Sequence, residues 1–558
     1  VRNWLTPKSV LAAAIVLTSL PFIDQAFHID DRIYLSTADN ILQSPLFPYD
    51  YPLYFEGRLA KDMASHSHLP LTSYYLALVK AVTGSEREWI YHVAFLVFPV
   101  IAVFSFYDMA RRYVRNGLAA TLIFIGSPAF LVLSHTLMPD VPLLALWLLS
   151  LSRVLRITSG EGDNRDRIVL VTAVMGAAFM SLLTVGLLLL IAAYLGSRFW
   201  NSLPLHHRGF WLLLLGGPVL LWFFWYTRAY LHYDRMVLAT VFLYVKNERV
   251  AFDWSELGLR FLSFVLNSGS VLLFPLAIWT AFHGRHRTRI ALLLFALSLL
   301  WFWIFVEGWS FVHTALFALF CSSGVLVIWE FVALIKDGRP ERRLLFLWYF
   351  GILTACLLLY FNGSARYVLL VLPPVVLLWV KHLETRVKDR YLVRNILGTT
   401  VLMSALYAGL ASYADYHFAE IYRKNSSELY SDYKTEESHV WIAGEWGFRY
   451  YMEREGARLL PRTSQEPVPG DIIIKPFVAF PWVTLYDGDP MTSLLEQRIH
   501  RDEIPLRIMD FSSHAGFYST GWGLLPMSLS TGEPWEWFNV YRVEQEYSGP
   551  APQEQRWW

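Results

Sequence analysis

Charged residues are scarce in this chain. Of 558 residues only 17% are Asp, Glu, Lys or Arg, where a soluble globular domain carries about 25%. The formal net charge is +1, and no basic tract of the nuclear type is present, so neither a global field nor a local patch steers the chain toward nucleic acid. There are two cysteines, Cys321 and Cys356. Both lie inside apolar runs, which excludes a disulfide framework and a cysteine metal site and leaves two small core hydrophobes. No GxxxxGK[ST] phosphate loop occurs, so nucleotide-driven transport lacks its signature. No internal repeat of 20–50 residues and no low-complexity tract appears. The first apolar run, Val10 to Phe27, ends in Pro21-Phe22-Ile23-Asp24-Gln25 without a small-x-small cleavage site, and is expected to be a retained span.

Apolar residues are abundant instead. They make up 55% of the chain, aromatics 16%, and the mean hydropathy is +0.37. Apolar windows near the ~20 residues a bilayer requires predict a polytopic α-helical membrane protein with about thirteen transmembrane helices. They cover 10–27, 89–106, 117–133, 141–153, 168–182, 185–197, 210–226, 266–282, 290–306, 311–335, 343–361, 367–380 and 396–412. The pair 168–182 and 185–197 reads either as two helices or as one long one, and charge decides for two. With the pair split, Arg2 and Lys8, Arg111 to Arg115, Arg153 to Arg167, Arg198 and Arg208, Arg285 to Arg289, Lys336 to Arg343 and Lys381 to Arg394 all fall on one side. By the positive-inside rule that side is cytoplasmic, and the N-terminus with it. The other face receives a first loop, 28–88, the short turns at 134–140 and Thr184, the 227–265 loop, the turns at 307–309 and 362–366, and everything after about 413. The expected division is therefore a membrane domain, 1–412, and an extracytoplasmic domain, 413–558. The second part is polar and turn-rich, with short β-rich runs at His439–Ala443, Asp471–Pro476 and Phe538–Val543 and a helix-like stretch at Gly447–Glu455. It reads as a small mixed α/β domain.

The unusual polar groups collect on that outer face. Asp30 and Asp31 follow the first span, inside Phe27-His28-Ile29-Asp30-Asp31-Arg32-Ile33-Tyr34, and Asp140 precedes the fourth. A charge deep in a bilayer costs on the order of 2.5–3.5 kcal/mol, so a paired carboxylate at a helix exit points to a site at the membrane surface. His66 and His68 lead into Leu69-Pro70-Leu71, Glu307 lies between two spans, and Arg366-Tyr367 opens the twelfth. A carboxylate there suits a general base for an acceptor hydroxyl, and the planar fork of an arginine suits phosphate oxygens. Each group has an alternative use: Asp140 as a helix-dipole partner worth ~0.3–1 kcal/mol, Arg366 as a snorkelling anchor, His68 as a loop residue, Arg32 as a neutraliser of its neighbours. No His/Asp spacing specifies a metal. An Asp30/Asp31/Asp140 cluster would hold a divalent cation, Mg²⁺ or Mn²⁺, if the fold converged them.

Taken together, these elements resemble the GT-C superfamily of polyprenyl-phosphate-sugar-dependent glycosyltransferases, in its bacterial branch related to protein O-mannosyltransferases and the lipid A aminoarabinose transferase. Asp30-Asp31 stands where that family carries an acidic pair. His68-Leu69-Pro70-Leu71 is similar to the element ending its first loop, with one proline fewer. Met138-Pro139-Asp140-Val141-Pro142 is similar to its second acidic element, and Ser364-Ala365-Arg366-Tyr367 with Leu372-Pro373-Pro374 to its late arginine-tyrosine element. In the tail, Val440 to Gly444, Gly447 to Tyr451, Pro469-Gly470-Asp471 and Gly521 to Pro526 extend the likeness. One departure is Leu183-Thr184-Val185, where family members often place a lysine.

The resemblance implies a GT-C-like fold in a bacterial inner membrane and an inverting transfer from a polyprenyl-phosphate sugar to a lipid, glycan or protein acceptor. By position Asp30 would be the base, with Asp31 and Asp140 orienting it or binding a cation, while Arg366 with Tyr367, and His68, would attend the donor. Two other classes remain open on the residues alone. A flippase for lipid-linked sugars would show interrupted helices in matching halves, which the sequence lacks. A non-catalytic subunit of a polysaccharide assembly complex would keep the fold without turnover.

Overall fold

The computed structural model describes residues 6–55, 58–60, 62–64, 68–198, 205–238, 254–281, 285–305, 308–337, 339–359, 363–460, 467–480, 491–530 and 532–545. His66 and Glu307, singled out in the sequence, lie outside them, as does the first residue of the turn 362–366. Most of the chain before residue 434 is helical. Among the described residues six helices are long and apolar enough to cross a membrane: Glu88–Tyr113, Asp140–Thr158, Arg208–Tyr233, Phe311–Lys336, Ala365–Arg386 and Arg390–Tyr433. Shorter apolar helices run over Pro7–Phe22, Thr184–Gly196 and Thr288–Trp301.

The helix boundaries follow local chemistry. The runs 168–182 and 185–197 are two helices, Asn164–Met180 and Thr184–Arg198, parted at the extended Ser181. The first of them opens on a reciprocal cap between Asp163 and Asp166, which satisfies two otherwise unpaired backbone N–H groups. The expected span 266–282 is built differently. A helix over Trp254–Ser268 stops there, and a short one starts at Pro275 and runs to Ala281. Proline starts helices readily because its missing N–H is not needed in the first turn. At Gly269 two backbones touch: a β-carbon on it would lie 2.0 Å from the Phe320 carbonyl oxygen, a close approach that small residues permit in membrane bundles.

The last apolar helix is the longest. It runs from Arg390 to Tyr433, 44 residues, or about 66 Å at 1.5 Å per residue. That is twice the ~30 Å of bilayer hydrocarbon. Leu402, Leu406 and Leu410 line one exposed face at a spacing of four, while Ser404, Ala408 and Ala411 are buried. An apolar stripe turned outward is what lipid contact requires. The helix passes through residue 412 without a break, and its second half carries the tail.

The tail holds a five-stranded sheet in the order Arg458–Leu459, Val440–Ile442, Ile472–Pro476, Glu536–Val543, Thr492–His500. The first three strands run parallel, and Glu536–Val543 is antiparallel to both neighbours. A helix over Trp446–Glu455 follows the Val440 strand. One contiguous apolar core joins bundle and tail, from Leu11 and Phe27 through Phe418 and Tyr422 to Phe448, Phe517 and Phe538. The tail is therefore packed into the bundle end rather than tethered to it.

Candidate active site

The first span ends at Phe22, and the chain crosses the bundle end before a helix begins at Asp31. Asp30 occupies the N-cap position of that helix, but its side chain makes no capping bond. Aspartate at an N-cap ordinarily contributes ~1 kcal/mol, and here the carboxylate is drawn elsewhere. Its Oδ2 accepts from Arg366 Nη1 at 2.7 Å. The Arg366 Nε donates at 3.1 Å to Asp140 Oδ2, at the start of the helix Asp140–Thr158. One guanidinium thus bridges two carboxylates lying 336 and 226 residues away in the sequence. The Arg366 side chain is 10% exposed and that of Asp140 13%, whereas Asp30 is 23% exposed. Asp30 is the most open of the three.

The backbone beside it is strained. Ile29 has φ +50°, a left-handed conformation in which a β-branched side chain is a true outlier. Such a residue costs on the order of 1–3 kcal/mol and persists only where its surroundings enforce it. The surroundings are visible. Tyr451 of the tail accepts the Phe27 N–H at 2.9 Å. Gly447 lies so close that a β-carbon there would stand 2.5 Å from the Phe27 carbonyl oxygen. On the other side of the site, Ser364 caps the turn Ala365–Val368 by accepting the Arg366 N–H at 3.1 Å. That turn is pinned to the tail as well: Ala365 N–H donates to the Phe517 carbonyl at 2.9 Å, and Thr520 N–H to that of Gly363 at 2.9 Å. The tail holds both walls of the site.

Asp31 turns away from Arg366. Fully buried, it accepts the Leu137 N–H at 2.8 Å and the His28 N–H at 3.2 Å. Burial pushes its carboxyl up to about 6, against the pull of His28 and the backbone donors. His28 is buried too, with Nε2 3.1 Å from Asp415 Oδ1. Asp415, on the long last helix, also accepts from Gln25 Nε2 at 2.8 Å and from the Tyr518 hydroxyl at 3.0 Å. Burial alone would lower His28, but Asp415 and Asp31 together hold it above the ordinary imidazole range.

The other residues expected at the site are close but differently engaged. His68 pairs across a short bridge with Ser181, Leu69 N–H donates to the Met180 carbonyl at 3.1 Å, and the His68 ring stands 6.3 Å from that of Tyr34. That places His68 against the turn that holds Thr184, which is buried. Tyr367 faces a small cavity lined by Arg260, Ser263, Asn267, Gly363 and Ser364. Arg32 is committed elsewhere, at 2.8 Å from Glu453 of the tail. His135 is buried behind the site against Phe22. A guanidinium fills the gap between Asp30 and Asp140, and Asp31 points to Leu137 and His28.

Four contributors were not identified in the sequence: Tyr34, His28, Asp415 and Tyr518. His28 sits two residues before Asp30. Asp415 lies on the last helix beyond its apolar half, among other ionisable residues, so nothing in the sequence sets it apart. Tyr34 lies one helical turn past Asp30-Asp31, close enough to feel Arg366, Asp30 and Asp140. Tyr518 carries no sequence signal.

Residues 66–225 match the model of the family described as dolichyl-phosphate-mannose-protein mannosyltransferase. No curated protein matches. Among solved structures, the chain is similar to ArnT from Cupriavidus metallidurans bound to undecaprenyl phosphate, at 12% identity and TM-score 0.43, covering 84% of this chain and 92% of that one. It is similar to the Archaeoglobus fulgidus oligosaccharyltransferase in complex with Zn and sulfate, at 14% identity and TM-score 0.39, covering 81% and 62%. It is also similar to the arabinofuranosyltransferase AftD from Mycobacteria, at 11% identity and TM-score 0.40, covering 97% and 40%.

Proposed function

We propose that this chain is an integral-membrane, inverting glycosyltransferase that moves a sugar from a polyprenyl phosphate to an acceptor on the extracytoplasmic face. The observation that carries the reading is the Asp30–Arg366–Asp140 bridge at the ends of apolar helices. The family-model match over 66–225, which includes Asp140 and His68, supports a lipid-phosphate sugar as donor. The charge asymmetry of the short turns supports the outer face for the site and for the tail.

In this reading Asp30, the most open carboxylate, accepts the proton of the acceptor hydroxyl. The acceptor oxygen bonds to the anomeric carbon as the bond from that carbon to the phosphate oxygen breaks, inverting the centre. The phosphate leaves with the bonding pair and full charge. Arg366 is placed to receive that charge, by exchanging one of its carboxylate partners for a phosphate oxygen. Asp140 keeps the guanidinium aimed during the exchange. Asp31, locked by Leu137 and His28, fixes the start of the helix and thereby the position of Asp30.

The test is a transfer assay with purified protein in detergent, a panel of polyprenyl-phosphate sugars and crude acceptor lipid. Release of polyprenyl phosphate from one donor, lost in Asp30→Asn at normal expression, is the expected result. No release from any donor, with or without divalent cations, would overturn the reading, and full activity in Asp30→Asn would overturn the assignment of the base.

A further inference from the structure

A second cluster lies away from the site, where the projecting half of the last helix meets the sheet. His417 comes from the helix Arg390–Tyr433, His500 is the last residue of the edge strand Thr492–His500, and Asp502 follows it. One ligand atom from each lies within 4.8 Å of the other two. The Nε2 atoms of both histidines are buried and have no hydrogen-bond partner among the described residues. His417 Nε2 is 3.2 Å from Asp502 Oδ2, without the alignment a hydrogen bond needs. Two buried, unpartnered nitrogens beside a carboxylate form an unsatisfied donor-and-acceptor group of a kind native interiors rarely leave.

From this geometry we infer that His417, His500 and Asp502 form a structural zinc site that staples the last helix to the sheet. Two imidazole nitrogens and one carboxylate are a borderline ligand set suited to Zn²⁺, with water as the fourth ligand. Tetrahedral zinc with bonds of 2.0–2.2 Å spaces its ligands about 3.3 Å apart. The histidines are held by their elements: His417 packs edge-on against Trp535 with ring centroids at 4.8 Å, and the His500 carbonyl accepts the Trp535 N–H at 3.0 Å. Asp502 is 37% exposed, so its side chain makes the closing movement. Burial lowers His500 below the ordinary imidazole range, which keeps it in the neutral form that binds metal. Lys424 and Arg507 are the neighbouring cations. They oppose a bound dication and set a limit on affinity, while Arg507 is itself drawn to the Trp535 ring, 3.9 Å from its centroid.

The experiment uses the full chain in detergent, purified without a histidine tag, stripped with chelator and titrated with Zn²⁺ alone. The expected result is one equivalent bound and a rise in the thermal midpoint. Co²⁺ in place of zinc should give the visible bands of a four-coordinate N/O site. His500→Gln and Asp502→Asn should each abolish the stoichiometric equivalent and the midpoint rise while leaving the apo midpoint near wild type. Less than one equivalent in the wild-type chain, or an undiminished equivalent in both variants, would overturn the site. Donor turnover is not needed to read any of these outcomes, so they are independent of the transfer reaction.

Discussion

Arg366 and Arg449 are two of several arginines that straddle two carboxylates, as Arg153 and Arg498 also do. Arg366 bridges Asp30 and Asp140. Arg449, in the tail, bridges Glu445 and Glu453 and also donates to the Tyr54 carbonyl. The chemistry is alike and the architecture is not. Arg449 and Glu453 sit on the helix Trp446–Glu455 and Glu445 is its N-cap, all at spacings of four, so the cluster is local in sequence. The Arg449 side chain is fully buried and Glu445 is 1% exposed. Arg366 and its partners come from three distant elements and meet only when the bundle closes. Asp30 keeps an opening to solvent and lies next to a strained residue. Both clusters adjoin a left-handed residue, Ile29 in one and Trp446 in the other, so the contrast rests on exposure and sequence distance: a sealed local cluster holds structure in place, whereas an open one drawn together from distant elements is the better candidate for a site.

The sharpest way to break that contrast is to remove one charge from each. Asp30→Asn keeps the shape and removes the base, so kcat should fall by about 10²–10⁴-fold with folding intact. Equal turnover in mutant and wild type would erase the distinction. Arg449→Met leaves Glu445 buried without its counter-charge, a change that destabilises by about 3–5 kcal/mol. The thermal midpoint should drop steeply, and adding Glu445→Gln should recover much of it. An unchanged midpoint in Arg449→Met would show that the tail cluster does not hold the fold.

Gly447→Ala is a gentler probe of how one region reaches the other. The added methyl would stand 2.5 Å from the Phe27 carbonyl oxygen, forcing the segment before Asp30 to move. Overpacking of this kind costs about 1–3 kcal/mol, but the displaced segment carries the base. Turnover should fall by more than the modest loss in thermal midpoint would suggest. Loss of stability with unchanged specific activity would mean that the tail does not position the site.

Much of this was legible in the chain. Asp30, Asp140 and Arg366 stand out in the sequence as charges at the ends of apolar runs, and the structure brings the three together. The three tail strands and the helix near 447–455 were read from β-rich and polar runs, and all appear. The longest tail strand, Thr492–His500, escaped because it is an edge strand with an exposed, mixed surface and so lacks the alternation that betrays a buried one. The break within 266–282 escaped because a continuous apolar run does not register where one helix ends and the next begins. The His28–Asp415–Tyr518 network was illegible for a simpler reason: its members lie 387 and 103 residues apart, and only the packed fold brings them together.

The smallest expected effect separates protonation at the site from unfolding. Burial places Asp31 at about 6, against an ordinary value of 3.8. Below about 6 it takes up a proton, its hold on the Leu137 and His28 N–H groups weakens, and turnover should decline as pH falls from 7.5 to 5.5. Stability should respond in the opposite sense. A carboxyl whose folded value is raised binds its proton more tightly in the native state, so its contribution is fully present below about 3.8 and lost as pH rises through about 6. His28, also raised, acts in the same direction. His135, which burial holds at about 3, acts in the other, since its contribution is lost as pH falls below 6.5. The quantity to measure is therefore the difference between wild type and Asp31→Asn. Across that range the wild type should lose activity while gaining thermal midpoint relative to the mutant. If activity and midpoint fall together by the same amount in both proteins, acid is loosening the bundle and Asp31 is not the group that titrates.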